Sequence, residues 1–305
     1  MHSFTTWTEG GGEGKTWTTI GTARSLVDKG YDVLVVDMDG QKGGFSSWLG
    51  LLNDDKTPSG DSIVDFLADN NEDPIQDLIR TREGIDVIPS SRQLRDLNEA
   101  LYRLGGPRQQ EVPDEQLRRV VEENQLYEDY DVMIVDVPKE VEDATKNALF
   151  ATRNVLVPLN PGPKGEYSVD GIVENLASYE QRKQLDIGTI GVVPNDVDKQ
   201  LNETTKSLGL LTQRIDVYEE QADRTVPIAP VAFAHRESLI KESWRAEVSP
   251  HEYHREHRER QRANEAETLE NFDKLAEFLL YQLSGGDLGS LPEREEILQE
   301  AASNA

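Results

Sequence analysis

The stretch that most constrains this chain is Glu9-Gly10-Gly11-Gly12-Glu13-Gly14-Lys15-Thr16, close to the first residue and just ahead of a helical pattern. Glycines let successive backbone N–H groups converge on one concavity, a lysine carries charge to the outer phosphates, and a threonine hydroxyl binds Mg²⁺. The stretch reads as a nucleotide-phosphate cradle. The plain spacing G-x-x-x-x-G-K-[ST] fails by one residue, because its first glycine falls on Glu9. The deviant form K-G-G-x-G-K-[ST] fits at Gly11, Gly12, Gly14, Lys15 and Thr16, with Gly10 where a lysine is expected. Taken alone, the stretch also reads as a flexible turn, so the rest of the chain decides.

Strands and helices alternate behind it. Phe4–Thr8 is the expected first strand, though poor in aliphatics for one buried on both faces. Trp17, Ile20, Ala23, Leu26 and Val27 recur at helical spacing up to Lys29-Gly30, a cationic last turn followed by a terminating glycine. Residues 31–37 and 130–138 are β-branched runs without polar alternation, as central parallel strands should be. Short helices are expected around Ile63–Leu67 and Ile75–Ile79, a strand at Ile85–Pro89, and two charged helices within 92–125 around the breaker Gly105-Gly106-Pro107. A strand at Asn154–Leu159, a helix at Ser168–Tyr179, a strand at Ile187–Val193, an edge strand at Val226–Pro230 and a helix at Glu267–Leu283 complete the alternation. Repeated β-then-α order implies a mostly parallel twisted sheet with helices on both faces and ligands at the carboxyl ends of its strands. Residues 1–284 are expected to form a single domain, and 285–305 an acidic, loosely held tail.

Composition narrows the chemistry. The 305 residues include no cysteine, which excludes disulfides, thiolate metal sites and cysteine-ligated iron–sulfur clusters, and fits a reducing cytoplasm. No apolar run approaches the roughly 18 residues of a membrane span, and the first residues lack the layout of a secretion signal. The formal charge is −26, from 58 acidic and 32 basic residues spread along the length. Few lysines and abundant carboxylates resemble proteins of extremely halophilic cells, where at about 1 M salt the Debye length is near 3 Å and self-repulsion is screened. An ordinary acidic protein is the alternative.

Asp37, Asp39 and Asp136 end buried strands, on the rim where a phosphate cradle needs carboxylates to hold Mg²⁺ and orient an attacking water. Each could singly be a strand-ending cap. Together, Gly-Gly-Glu-Gly-Lys-Thr, Asp37-Met38-Asp39-Gly40-Gln41 with Trp48-Leu49-Gly50 behind it, Ile85-Asp86-Val87-Ile88-Pro89-Ser90, and Val135-Asp136-Val137-Pro138 resemble the ParA/Soj branch of the ParA/MinD deviant Walker ATPases, a P-loop fold. The likeness runs from the first residues to about Leu283.

The resemblance implies a cytoplasmic, nucleoid-associated ATPase that forms an ATP-sandwich homodimer, binds DNA without sequence preference, and segregates plasmids or chromosomes with a ParB-like partner. By position, Gly11, Gly12, Glu13, Gly14, Lys15, Thr16 and Trp17 would hold ATP, with Lys15 on the β- and γ-phosphates. Thr16, Asp37 and Asp136 would serve Mg²⁺, and Asp39 would orient the water. Asn195 and Pro230 match adenine-contacting positions, though Asn195 could instead cap a following helix.

Departures from the pattern matter. Gly10 replaces the lysine that reaches across the dimer, Gly40 the proline of Asp-x-Asp-Pro-Gln, and Lys139 a second proline. A glycine cannot neutralise transition-state charge, so hydrolysis is weak or another cation substitutes. Lys164 is the favoured substitute, with Lys42 and Lys139 as alternatives. DNA binding would fall on the basic concentration Arg236, Lys241, Arg245, Arg255, Arg258, Arg260 and Arg262, unless the interleaved Glu252, Glu256 and Glu259 make it a salt-bridged surface. A positioner of protein cargo, or a low-turnover nucleotide-dependent interaction protein, is the alternative function. A MinD-like membrane ATPase is disfavoured by the acidic end of the chain.

Overall fold

The computed structural model describes residues 1–41, 43–104, 113–161, 163–197, six positions between 209 and 219, and 225–285; for 163–168 it describes the backbone alone. Eight strands make one sheet: β1 (His2–Thr6), β2 (Val33–Asp37), β3 (Arg80–Arg82), β4 (Ile85–Ile88), β5 (Val132–Asp136), β6 (Asn154–Leu159), β7 (Gly188–Val197) and β8 (Phe233–Ala234). Their order is β3-β4-β2-β5-β1-β6-β7-β8, with every neighbouring pair parallel except β3 and β4. This is the mostly parallel α/β fold that the alternation implies.

Both faces of the sheet are covered, which explains strands with no polar face. Leu34, Val36, Met133 and Val135 pack with Leu101, Leu117, Ala148, Val169 and Ile172 from helices Leu97–Leu104, Gln116–Glu123, Asp143–Thr152 and Pro163–Lys183. Their neighbours Val33, Val35, Val132 and Ile134 point the other way, into a layer with Ile20, Ala23, Leu26, Phe272, Leu275 and Leu279 from helices Lys15–Asp28 and Ala263–Leu283.

The aliphatic-poor β1 is nonetheless central, between β5 and β6. β-Branched threonines suit a strand, and Thr5 Oγ1 pairs with Thr152 Oγ1 at 2.8 Å, so one buried hydroxyl is satisfied at the end of the neighbouring helix. The strand closes at Thr6, two residues earlier than expected, and Trp7 turns inward with Nε1 donating to the Lys139 carbonyl at 3.2 Å.

Other boundaries move for local reasons. The helix expected at Ile75–Ile79 is a 3₁₀ turn, Ile75–Asp77, followed by the unexpected short strand β3. Glu83 and Gly84 both have positive φ (53° and 79°), the pair a tight two-residue hairpin needs to join β3 to β4. Val226–Pro230 contributes an isolated bridge between Val192 and Ile228, and the edge strand is β8 instead. The helices expected at Ser168–Tyr179 and Glu267–Leu283 extend to Pro163–Lys183 and Ala263–Leu283. Gly105-Gly106-Pro107 and nearly all of the expected tail lie outside the described residues.

Candidate nucleotide-binding site

The site is assembled at the carboxyl ends of the central strands. Register aligns Thr6 of β1, Asp136 of β5 and Asp37 of β2 in one row, so the loop leaving β1 emerges beside both aspartates. Gly12 and Gly14 have φ of 80° and 93°, a region glycine enters at little steric cost, and Gly14 caps the 14-residue helix Lys15–Asp28. The loop therefore delivers its backbone to a helix N-terminus, which attracts anions.

Thr16 Oγ1 donates to Asp136 Oδ2 at 2.9 Å, and Thr19 Oγ1 to Asp136 Oδ1 at 3.2 Å. Asp136 is fully buried; desolvation, then the charge of Asp37, pushes its pKa up to about 8. Asp37, also fully buried, accepts the backbone N–H and the hydroxyl of Ser46, each at 2.7 Å, on one oxygen and the Asp39 N–H at 3.0 Å on the other. Burial still raises it to about 7. Ser46 Oγ also accepts the Ser90 N–H at 2.9 Å, and Ser90 donates to the Asp39 carbonyl, so the loops after β2 and β4 form one network.

Asp39 accepts the Gln41 N–H at 2.8 Å, and burial raises its pKa as well. Lys15 Nζ reaches the Gly10 carbonyl at 3.5 Å. Burial lowers the lysine pKa, while Asp136, Asp39, Glu13 and Glu140 oppose that shift. The two buried carboxyls ionise readily only beside a positive charge, and with the threonine hydroxyl they form an all-oxygen donor set of the kind a hard divalent cation takes. Thr16, Asp136 and Asp37 therefore fit Mg²⁺.

Other expected site residues sit differently. Trp17 is packed against Trp48 and Phe272 with ring centroids 6.1 and 5.2 Å away, so its side chain belongs to the core. Asn195 lies inside β7, which rules out a helix cap; its Nδ2 donates to the Glu13 carbonyl at 2.8 Å, and a Cβ on Gly14 would overlap it. Pro230, half-buried, lies between the Val192–Ile228 bridge and β8. Gly11 is exposed, and a Cβ on it would stand 3.8 Å from Lys139 Cδ, which places the Lys139 side chain beside the loop. Lys164 lies in the first turn of helix Pro163–Lys183, with its side chain outside the described residues, as is Lys42.

A family model for an AAA domain matches residues 4–189. The chain belongs to that AAA domain family. Similar proteins include several of ParA/Soj type. The sporulation initiation inhibitor protein Soj of Bacillus subtilis is 29% identical over 194 residues, spanning 63% of this chain and 71% of Soj. The chromosome partitioning protein ParA of Myxococcus xanthus is 34% identical over 151 residues, 49% of this chain and 48% of that protein. Among solved structures, an ATP complex of a Cyanothece McdA variant matches with a TM-score of 0.69 at 19% identity, over 96% of this chain and 99% of the other, a likeness of fold.

For a ParA/Soj-type member the basic segment needs correction. Arg236 is buried, with Nε donating to Thr268 Oγ1 at 2.9 Å and the Asn264 carbonyl at 3.1 Å. The Arg258 side chain, 8% exposed, is locked to the buried Glu265 and lies 4.9 Å over the Tyr253 ring. These two are structural. Arg255 pairs with Asp28 at 2.5 Å, Lys241 with Glu237, and Arg262 with Glu265 at 3.6 Å. Arg245 and Arg260 are exposed. The pattern of the sequence could not separate these roles, because buried and exposed arginines alternate along one irregular segment.

The sequence assigns no individual role to Ser46, Ser90 or Thr19. A serine or threonine hydroxyl that braces a carboxylate carries no spacing signature.

Proposed function

We propose that the chain is a Mg²⁺-dependent ATPase that forms a nucleotide-dependent homodimer, binds DNA without sequence preference, and partitions a plasmid or chromosome with a ParB-like adaptor. The observation that carries the reading is the convergence of Lys15, Thr16 and Asp136 in one site, 120 positions apart in sequence between the last two. Phosphoryl transfer rests on positioning and charge neutralisation. Backbone N–H groups of Gly11 to Thr16 cradle the phosphates, and Lys15 offsets their outer charge. Thr16, Asp136 and Asp37 would hold Mg²⁺, which supplies charge neutralisation when bound. Asp39, half-buried at the mouth, orients the attacking water. Asn195 places the loop through the Glu13 carbonyl.

Gly10 supplies no cation, so transition-state charge falls to Lys139 or Lys164. Lys139 has its side chain beside Gly11 and a 3.5 Å ion pair to Glu140 that leaves it half-exposed. The test is ATP turnover with and without Mg²⁺, and with and without linear duplex DNA of arbitrary sequence. Mg²⁺-dependent turnover that DNA raises supports the reading. Turnover indifferent to DNA favours a second one, a cargo positioner or low-turnover interaction protein. That alternative draws on Gly10 and on Arg236 and Arg258 being committed to internal pairs.

A further inference from the structure

Two acids, Glu9 and Glu13, stand in a loop read as receiving an anionic ligand, and a carboxylate facing phosphate would repel it. Both are turned onto the protein instead. Glu13 is 3% exposed, and its Oε2 accepts the Asn160 N–H at 3.3 Å, at the end of β6. Its carboxylate also fills the space in front of Gly10, where a Cβ would overlap Oε1 and the carboxyl carbon. Glu9 accepts a hydrogen bond from Asn175 Nδ2, which donates as well to the Gly171 carbonyl at 3.0 Å. The Glu9 carboxylate lies against Gly171, where a Cβ would overlap Oε2.

Neither glycine is required by its backbone. Gly10 and Gly171 are not among the positive-φ residues, whereas Gly12 and Gly14 are. Gly171 moreover occupies the interior of helix Pro163–Lys183, where glycine is less stable than alanine. What they provide is room.

We propose that Glu9 and Glu13 are positioning residues that tether the phosphate loop to Asn160 and to helix Pro163–Lys183, and that Gly10 and Gly171 are the notches receiving the two carboxylates. The loop is then held from behind at both acidic positions. A side chain at position 10 would have to displace the seated Glu13 carboxylate, so the absence of a cation there and the acid at position 13 are one feature. The tether also makes the helix that begins at Pro163 follow any movement of the loop.

This rests on the nucleotide reading above. Its test is a pair of double-mutant cycles on the full chain, reading the Kd of a fluorescent Mg-ATP analogue and the KM and kcat for ATP. Gly10→Ala and Glu13→Ala should each weaken binding about tenfold, and the double variant should bind no worse than Glu13→Ala, since the obstacle is gone. Gly171→Ala and Glu9→Ala should behave likewise. KM should rise while kcat changes little, as for residues that place the loop and do not touch the reacting phosphate. Glu13→Gln, which keeps the shape and an acceptor for Asn160, should recover most of the affinity lost in Glu13→Ala. Losses that multiply in the double variants, or Gly10→Ala binding like wild type, would overturn the tether. Wild type that binds no Mg-ATP would overturn the nucleotide reading itself.

Discussion

Thr16 and Asp136 meet through a 2.9 Å hydrogen bond that joins the first turn of the helix behind the phosphate loop to the end of β5. The bond holds the threonine hydroxyl and a buried carboxylate where a cation would draw on both. Thr16→Ala and Asp136→Asn should each weaken Mg²⁺ binding during ATP turnover, raising the half-saturating Mg²⁺ roughly 10–100-fold. A Mg²⁺ titration of turnover at fixed ATP checks this; an unchanged midpoint in both variants would place the cation elsewhere.

Ser46 is the pivot behind the aspartates. Its hydroxyl donates to Asp37 and accepts from the Ser90 N–H. Ser46→Ala leaves the fully buried Asp37 one donor short and the Ser90 N–H unpaired, at a cost of about 1–3 kcal/mol. Urea unfolding should show a lower midpoint at unchanged slope. A shift too small to detect would mean water replaces the hydroxyl.

Arg258 and Arg260, two residues apart, should respond oppositely. Arg258→Glu sets a second carboxylate against Glu265, whose side chain is 3% exposed and keeps only His254 at 3.4 Å and Arg262 at 3.6 Å, and removing one partner of a buried pair costs roughly 3–5 kcal/mol. It should lower the melting temperature sharply. Arg260→Glu and Arg245→Glu should leave melting within about 0.5 kcal/mol of wild type and weaken DNA binding, most visibly at low salt. DNA affinity unmoved by both exposed reversals would remove this face from consideration.

His251 makes stability depend on pH. Its ring is 1% exposed, with Nε2 3.2 Å from Ser25 Oγ. Burial, then Arg255, lowers its pKa to about 3; Arg24 and His254 add to that shift and Asp28 opposes it. The fold therefore holds the neutral ring. The folded pKa lies below the unfolded one, so this contribution is complete above about pH 6.5 and is lost as pH falls toward 3, by at most about 1.4 kcal/mol per unit. Between pH 6.5 and 5, where most carboxylates stay ionised, His251→Gln should unfold with a flatter pH dependence than wild type. Equal slopes would show that folding leaves the proton affinity of His251 unchanged.

Much of this was readable beforehand, because it rests on spacing and periodicity. The glycine loop, the apolar runs ending in Asp37 and Asp136, and the helical faces of Ile20 to Leu26 and Leu269 to Leu279 are local signals, and the fold keeps them. What escaped depends on pairings distant in sequence. Asn195, which matches an adenine-contacting position, braces the Glu13 carbonyl across 182 residues, a role that no spacing signals. Trp17 follows the loop by position in the motif, and helical geometry turns its ring into the core. Arg236 and Arg258 look like surface charge in the sequence because their partners, Thr268 and Glu265, lie on the separate helix Ala263–Leu283.

The central claim is that the loop ending in Lys15 and Thr16 turns over ATP. It is tested most directly by steady-state ATP hydrolysis with Mg²⁺, comparing wild type with Lys15→Ala at matched folded content. Wild type should hydrolyse ATP, and Lys15→Ala should lose about 10²–10³-fold in turnover, the scale of losing one charge-stabilising donor. Turnover by Lys15→Ala equal to wild type, or none in wild type at any Mg²⁺ concentration, would contradict the assignment.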